Sequence, residues 1–164
     1  PITVPYSAGH LQSIYNHKPS ALIRRYADAP TKNLHEFGDG LSYSDFEYGQ
    51  ARLSRSTIGE DGSTTLSVTV LNKGKRAGDE VVQLYIRDDY SLVTRPVKEL
   101  KGFTRVSLEP REKRKIYFEI TPDMLAYYDI NMNWQVEAGD FTIMVGGSSR
   151  DRDLELVKLT VQSD

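Results

Sequence analysis

Thr65-Leu66-Ser67-Val68-Thr69-Val70, closed by Asn72-Lys73-Gly74, is the stretch on which the fold turns. Successive side chains of an extended chain point to opposite faces. Leu66, Val68 and Val70 therefore go to a core, and Thr65, Ser67 and Thr69 to a polar surface. The Asn-Lys-Gly run supplies a turn, because Asn and Gly accept the dihedrals that a reversal needs. Downstream, Val82, Leu84 and Ile86 form the next inward set, with Val81, Gln83 and Tyr85 opposite. Val97 to Leu108 reads as one or two strands broken near Gly102. Ile116, Phe118 and Ile120 alternate with Lys115, Tyr117 and Glu119.

Thr121-Pro122-Asp123 can open one helical turn over Met124 and Leu125, with Thr121 as cap and Pro122 in the first position. Tyr127 to Val136 reads as a hairpin whose loop uses Asn for left-handed dihedrals. Phe141, Ile143 and Val145 follow Gly139-Asp140. Leu154, Leu156, Leu159 and Val161 close the chain, with an irregularity expected at Val157 that switches the inward face. Seven or more short strands spaced by turn signals give an all-β sandwich, with an open barrel or a jelly roll as alternatives.

Upstream of Phe46 the period disappears. Residues 1–45 hold Pro1, Pro5, Pro19 and Pro30 together with Gly9, Gly38 and Gly40. Proline removes a backbone donor and fixes φ, so this stretch forms neither a central strand nor a long helix. Ser20 to Asp28 has room for one or two helical turns. Ile2, Val4, Leu11, Ile14, Tyr15, Leu22, Ile23 and Tyr26 need a surface to lie on, either the sandwich or another domain. The division is an arm at 1–45 and a sandwich at 46–164.

Composition narrows the function. The 164 residues carry a formal net charge of −2, so no concentrated basic face invites a nucleic acid. The run Arg111, Lys113, Arg114, Lys115 is balanced by Glu109, Glu112 and Glu119 and reads as a solvated strand end. There are no cysteines, which excludes disulfides, thiolate metal sites and cysteine nucleophiles. No apolar run approaches the roughly 20 residues that span a bilayer. The chain starts at Pro1, which reads as a piece of a longer product.

Candidate chemistry is sparse. Asp88-Asp89 is a carboxylate pair, but neighbours on a strand diverge, so a charged strand end is the better reading. Asp39 sits between Gly38 and Gly40, where a ligand could approach, although turn-stabilising aspartates are commoner. His10, His17 and His35 have no metal-ligand spacing. Ser148-Ser149 lacks the surroundings of a nucleophilic serine, and Gly146-Gly147-Ser148-Ser149 lacks the lysine of a phosphate loop. No catalytic, metal or cofactor-binding residue is assigned. Of the aromatics Tyr43, Phe46, Tyr48, Tyr85, Tyr127, Tyr128 and Trp134, the single tryptophan is expected in the core. There its loss would cost about 3–5 kcal/mol.

Several strings are more specific. Phe37-Gly38-Asp39-Gly40-Leu41-Ser42-Tyr43-Ser44-Asp45-Phe46 resembles the "PFGYGLSYTTF" junction of family-3 glycoside hydrolases, the β-glucosidases and β-xylosidases. Asn72 to Tyr85, Arg95-Pro96-Val97-Lys98-Glu99-Leu100-Lys101-Gly102-Phe103, and Gly139 to Ser149 resemble runs of their fibronectin-type-III-like C-terminal domain. Gly9-His10-Leu11 and Tyr15-Asn16-His17-Lys18 look like the tail of the preceding α/β domain. The resemblance implies a fibronectin-III/immunoglobulin-like β-sandwich that braces catalytic domains of the same parent chain. In that family the nucleophilic Asp and the acid/base Glu precede the region matched here, so no residue of this chain inherits either role. It further implies retaining hydrolysis by the parent, no cofactor, no nucleic-acid or membrane partner, and a periplasmic or secreted location. Arg95, Pro96, Lys98 and Glu99 are the candidate interdomain contacts, and Asp39 and Tyr43 the candidate junction contacts. Asp39 stands where the family has an aromatic. The alternative is an independent carbohydrate-binding module using exposed aromatics such as Tyr90 or Tyr127.

Overall fold

The computed structural model describes residues 2–10, 13–19, 30 and 32–163. The first strand, β1, is Phe46–Tyr48. It is followed by β2 (Arg52–Leu53), β3 (Thr57–Gly59), β4 (Thr64–Asn72), β5 (Gly78–Asp88), β6 (Glu99–Leu108) and β7 (Lys113–Ile120). A single helical turn, α1 (Pro122–Leu125), precedes β8 (Tyr127–Tyr128), β9 (Trp134–Gln135), β10 (Gly139–Gly146) and β11 (Leu154–Gln162). Pro122 opens the turn as expected, but the Thr121 side chain makes no capping bond.

Two sheets face each other. In one, β1 and β2 share an edge of β4 and β7 takes its other edge, all antiparallel. In the other the order is β3-β11-β10-β5-β6, with β3 parallel to β11. Leu66, Val68 and Val70 from the first sheet meet Val82, Leu84, Ile86, Phe141, Ile143 and Val145 from the second. The alternating sets read from the sequence are these inward faces. The break near Gly102 is a register shift within one continuous β6, where Tyr85 pairs with Leu100 and Leu84 with Gly102.

The outward face of β5 and β10 departs from simple alternation. Gln83, Tyr85 and Met144 point away from the core yet are buried. Their cover is the arm. Tyr15 packs edge-on to Tyr85 and stacks on Phe37, and the three buried residues Tyr85, Met144 and Leu154 pack with Tyr15, Phe37 and Leu100. Part of the arm therefore uses the sandwich as its surface. Ser20 to Asp28, together with Leu11, Leu22, Ile23 and Tyr26, lies outside the described residues. The irregularity expected at Val157 is absent. β11 pairs with β10 without a slip, so Val157, Leu159 and Val161 face inward while Leu154 and Leu156 share the outer face.

Trp134 also departs from expectation. It is 51% exposed on the small β8–β9 hairpin, with its ring 4.9 Å from that of Tyr128. Among the described residues the hairpin strands pair only with each other, and the inter-sheet space is already filled by Phe141 and the aliphatic rows. Within the loop, the residue with positive φ is Met132 rather than an asparagine. Trp134→Ala is accordingly expected to change stability by less than about 1 kcal/mol. A chemical denaturation curve followed by circular dichroism measures this, and a loss above 3 kcal/mol would restore the core assignment.

Candidate interdomain site

The junction 37–46 enters the sandwich at the end where β5 begins and β10 finishes. Phe37 O accepts a hydrogen bond from Ser149 N at 2.8 Å. Asp39 accepts from the Arg150 guanidinium and lies 3.4 Å from His35 Nδ1. Ser44 Oγ donates to Arg76 O at 2.6 Å, and Lys73 N donates to Asp45 O at 2.7 Å. Asp39 is thus an ionic latch between the arm and the turn after β10. Tyr43 is almost fully exposed.

Gly38 has φ +80° in the left-handed region, and a Cβ there would overlap Gln83 Oε1. Gln83 cannot retreat freely, because Tyr85 OH donates to its Oε1 at 2.6 Å and its Nε2 donates to Gly147 O. Gly38→Ala is expected to cost about 2–4 kcal/mol through left-handed strain and lost hydrogen bonds. It should also release the arm, so limited proteolysis should cut ahead of Phe46 sooner than in the wild type. Equal cleavage rates would show that the glycine is not what seats the junction.

A groove of about 650 Å³ opens beside this latch, lined among others by Asp39, Tyr48, Lys73, Glu80, Arg152 and Asp153. Tyr48 OH donates to Glu80 Oε1 at 2.7 Å. Burial pushes the Glu80 carboxyl above the ordinary glutamate range, and the Tyr48 bond offsets part of that rise. Lys73 pairs with Glu47 at 3.0 Å, and Asp153 with Arg150 and Arg152. These acids are committed to neighbours in the same chain, which makes the groove a polar seam.

Of the candidate interdomain contacts, Arg95 and Lys98 are turned inward. Arg95 Nη1 donates to Asp88 Oδ2 and to Leu125 O, each at 3.0 Å. Its Nη2 donates to Glu99 Oε2 at 3.2 Å, and the guanidinium carbon lies 5.3 Å from the Tyr127 ring centroid. Burial pushes the Asp88 carboxyl up despite Arg95. Burial works in the same direction on Glu99, but Lys101 and Arg95 overcome it and hold that carboxyl below its usual range. Lys98 Nζ donates to Ser149 O at 2.8 Å and pairs with Asp151. Pro96 and Glu99 remain half-buried at the surface.

Asp88 and Asp89 diverge as expected. Asp89 accepts from Thr142 Oγ1 at 2.8 Å and pairs with Lys158. The histidines are scattered over separate partners. His10 Nε2 lies 2.9 Å from Pro30 O, and His17 Nδ1 3.1 Å from Lys18 O. Tyr127 is buried, with its hydroxyl donating to Glu137 Oε2 at 2.7 Å.

Two antiparallel-rich sheets over one core, with an ionic junction at one end, define a fibronectin-type sandwich, and residues 80–149 match the family model for the Fibronectin type III-like domain. Residues 80–149 form such a domain, and the chain is similar over nearly its whole length to part of β-glucosidases and β-xylosidases, among them family-3 enzymes. A putative β-xylosidase of Formosa agariphila is 42% identical over 151 residues, covering 92% of this chain and 20% of that protein. A periplasmic β-glucosidase of Salmonella typhimurium is 36% identical, covering 91% of this chain and 21% of that protein. Among solved structures, a β-glucosidase from Erythrobacter marinus superposes with TM-score 0.93 at 39% identity, over 99% of this chain and 21% of that one. The chain thus spans about a fifth of the length of these relatives.

Proposed function

We propose that this chain is a non-catalytic accessory domain of a family-3 glycoside hydrolase and braces the catalytic domains of the same parent polypeptide. The observation that carries this reading is the two-sided arm. Tyr15 and Phe37 face the sandwich, while Ile2, Tyr6, Ile14 and Leu34 stay exposed. An apolar segment seated on one domain with a second apolar set facing outward suits a strip packed between domains. Residues 1–45 are on this reading the tail of the preceding domain, and Pro96 with Glu99 adds a rim contact. The Salmonella relative is named periplasmic, which supports export of the parent.

Isothermal titration of this chain with the rest of the parent polypeptide should show saturable binding. The pair Ile14→Asp and Leu34→Asp should weaken it without altering the unfolding curve of the chain. Unchanged affinity in that variant removes the arm from the interface. Heat on mixing with cello- or xylo-oligosaccharides would instead favour a carbohydrate-binding module. Turnover of a chromogenic glycoside by the isolated chain would overturn the non-catalytic assignment.

A further inference from the structure

We infer that the β8–β9 hairpin, with the loop after β5, forms a second docking surface for the remainder of the parent polypeptide, at the end of the sandwich opposite the Asp39–Arg150 latch. This rests on the accessory-domain reading and adds a named surface to it. Leu92 is 78% exposed, Ile130 81% and Met132 72%, and Tyr90, Tyr128 and Trp134 join them. Singly exposed apolar residues are ordinary, but six large ones gathered on one loop and one adjoining hairpin are not. Glu137 ties the two together. Its Oε2 accepts from Tyr127 OH at 2.7 Å, from Leu92 N at 3.4 Å and from Ser91 Oγ at 3.5 Å.

The carboxylate at the hairpin tip is satisfied within the hairpin. Asp129, the ionic group of the hairpin tip, accepts from Asn133 N and Asn131 N, each at 2.8 Å, and from Asn133 Nδ2 at 3.1 Å. The Asn133 backbone bond is the leading cause that holds this carboxyl below the ordinary aspartate range. Beside the amides Asn131, Asn133 and Gln135 the patch offers aliphatic side chains, methionine and three aromatics, with the hairpin carboxylate already satisfied, which is the composition of a protein-interface centre.

The size of the relatives points to the occupant, because about four-fifths of each lies outside the matched region. The arm also leads to this end. Val97 N donates to His17 O at 2.9 Å, and Pro19 lines one groove with Tyr90. A partner tethered in the same polypeptide acts at an effective concentration near millimolar, so it covers such a patch before a free protein does.

Oxidative footprinting of the full-length parent against this chain alone provides the test. Met132 should oxidise at least about tenfold more slowly in the parent, the ratio given by a docking free energy near 1.4 kcal/mol. In titration against the rest of the parent, Leu92→Asp with Ile130→Asp should weaken binding by about tenfold or more. Both residues are surface groups, and an unchanged unfolding curve confirms that the variant is folded. Equal Met132 oxidation in both proteins overturns the inference. Binding by the wild type with equal affinity from the variant also overturns it, while leaving the accessory reading intact. No binding by the wild type removes both. A dimer of the chain that Ile130→Asp dissociates gives the patch to a second copy and overturns the inference. So does a change in the fluorescence of the single tryptophan on adding cellohexaose or xylohexaose, which gives the patch to a glycan.

Discussion

Phe141→Ala is expected to destabilise the sandwich by about 3–5 kcal/mol, the range for emptying a phenylalanine site in a packed core. Phe141 is fully buried on β10, between Asp88 of β5 and Leu159 of β11 in the ladder. Its ring projects into the row formed by Leu84, Ile86, Ile143 and Leu159. β10 is pinned on both sides by long ladders and cannot shift inward to close the gap. The expected fall in melting temperature is roughly 6–20 °C for a domain of this size. Thermal unfolding followed by circular dichroism measures it. Trp134 fluorescence would be a poor reporter, because the indole is half in water in the folded state. A loss below 1 kcal/mol would mean that the inter-sheet space collapses readily and that the core lies elsewhere.

The contrast between Phe141 and Trp134 shows what the sequence could convey. Two-residue alternation depends on nearest neighbours along one strand, so it revealed the inward faces of β4, β5, β7 and β10 directly. It could not tell which outward faces are covered, because cover comes from distant residues. Gln83 and Tyr85 read as the polar side of β5, yet Tyr15 and Phe37 lie over them. Nor does side-chain size alone place Trp134, since its strand belongs to a two-residue ladder outside both main sheets. The segment 95–101 is a related case. Its polarity suggested a partner, but the partners of Arg95 and Lys98 are groups up to 53 residues away in the same chain. Asp39 stands out in the sequence by its flanking glycines, whereas its partner Arg150 carries no local signal.

Arg95→Met should cost about 3–5 kcal/mol at neutral pH, the penalty for leaving one member of a buried ion pair unpaired. The side chains of Arg95 and Asp88 are 9% and 3% exposed. Methionine keeps much of the packing over Tyr127 but supplies no charge and no donor for Leu125 O. The pH dependence separates this cause from lost packing. Burial already raises the Asp88 carboxyl above its unfolded value, and Arg95 is the strongest influence opposing that rise. A carboxyl raised in the folded state binds its proton more tightly there than in the unfolded chain. Its ionisation therefore removes stability as pH climbs from the unfolded value of about 3.9 through the folded one. Without Arg95 the folded value climbs further and the loss deepens. The deficit of Arg95→Met relative to the wild type should be full at pH 7 and shrink as Asp88 becomes protonated in acid. Adding Asp88→Asn to Arg95→Met should recover most of the neutral-pH deficit, since the uncompensated charge is gone. Urea unfolding of the three proteins between pH 4 and 8 reads all of this at once. A deficit that stays constant across that range, with no rescue by Asp88→Asn, would show that Arg95 acts through its packing on Tyr127 and its bond to Leu125, and not through the charge it holds beside Asp88.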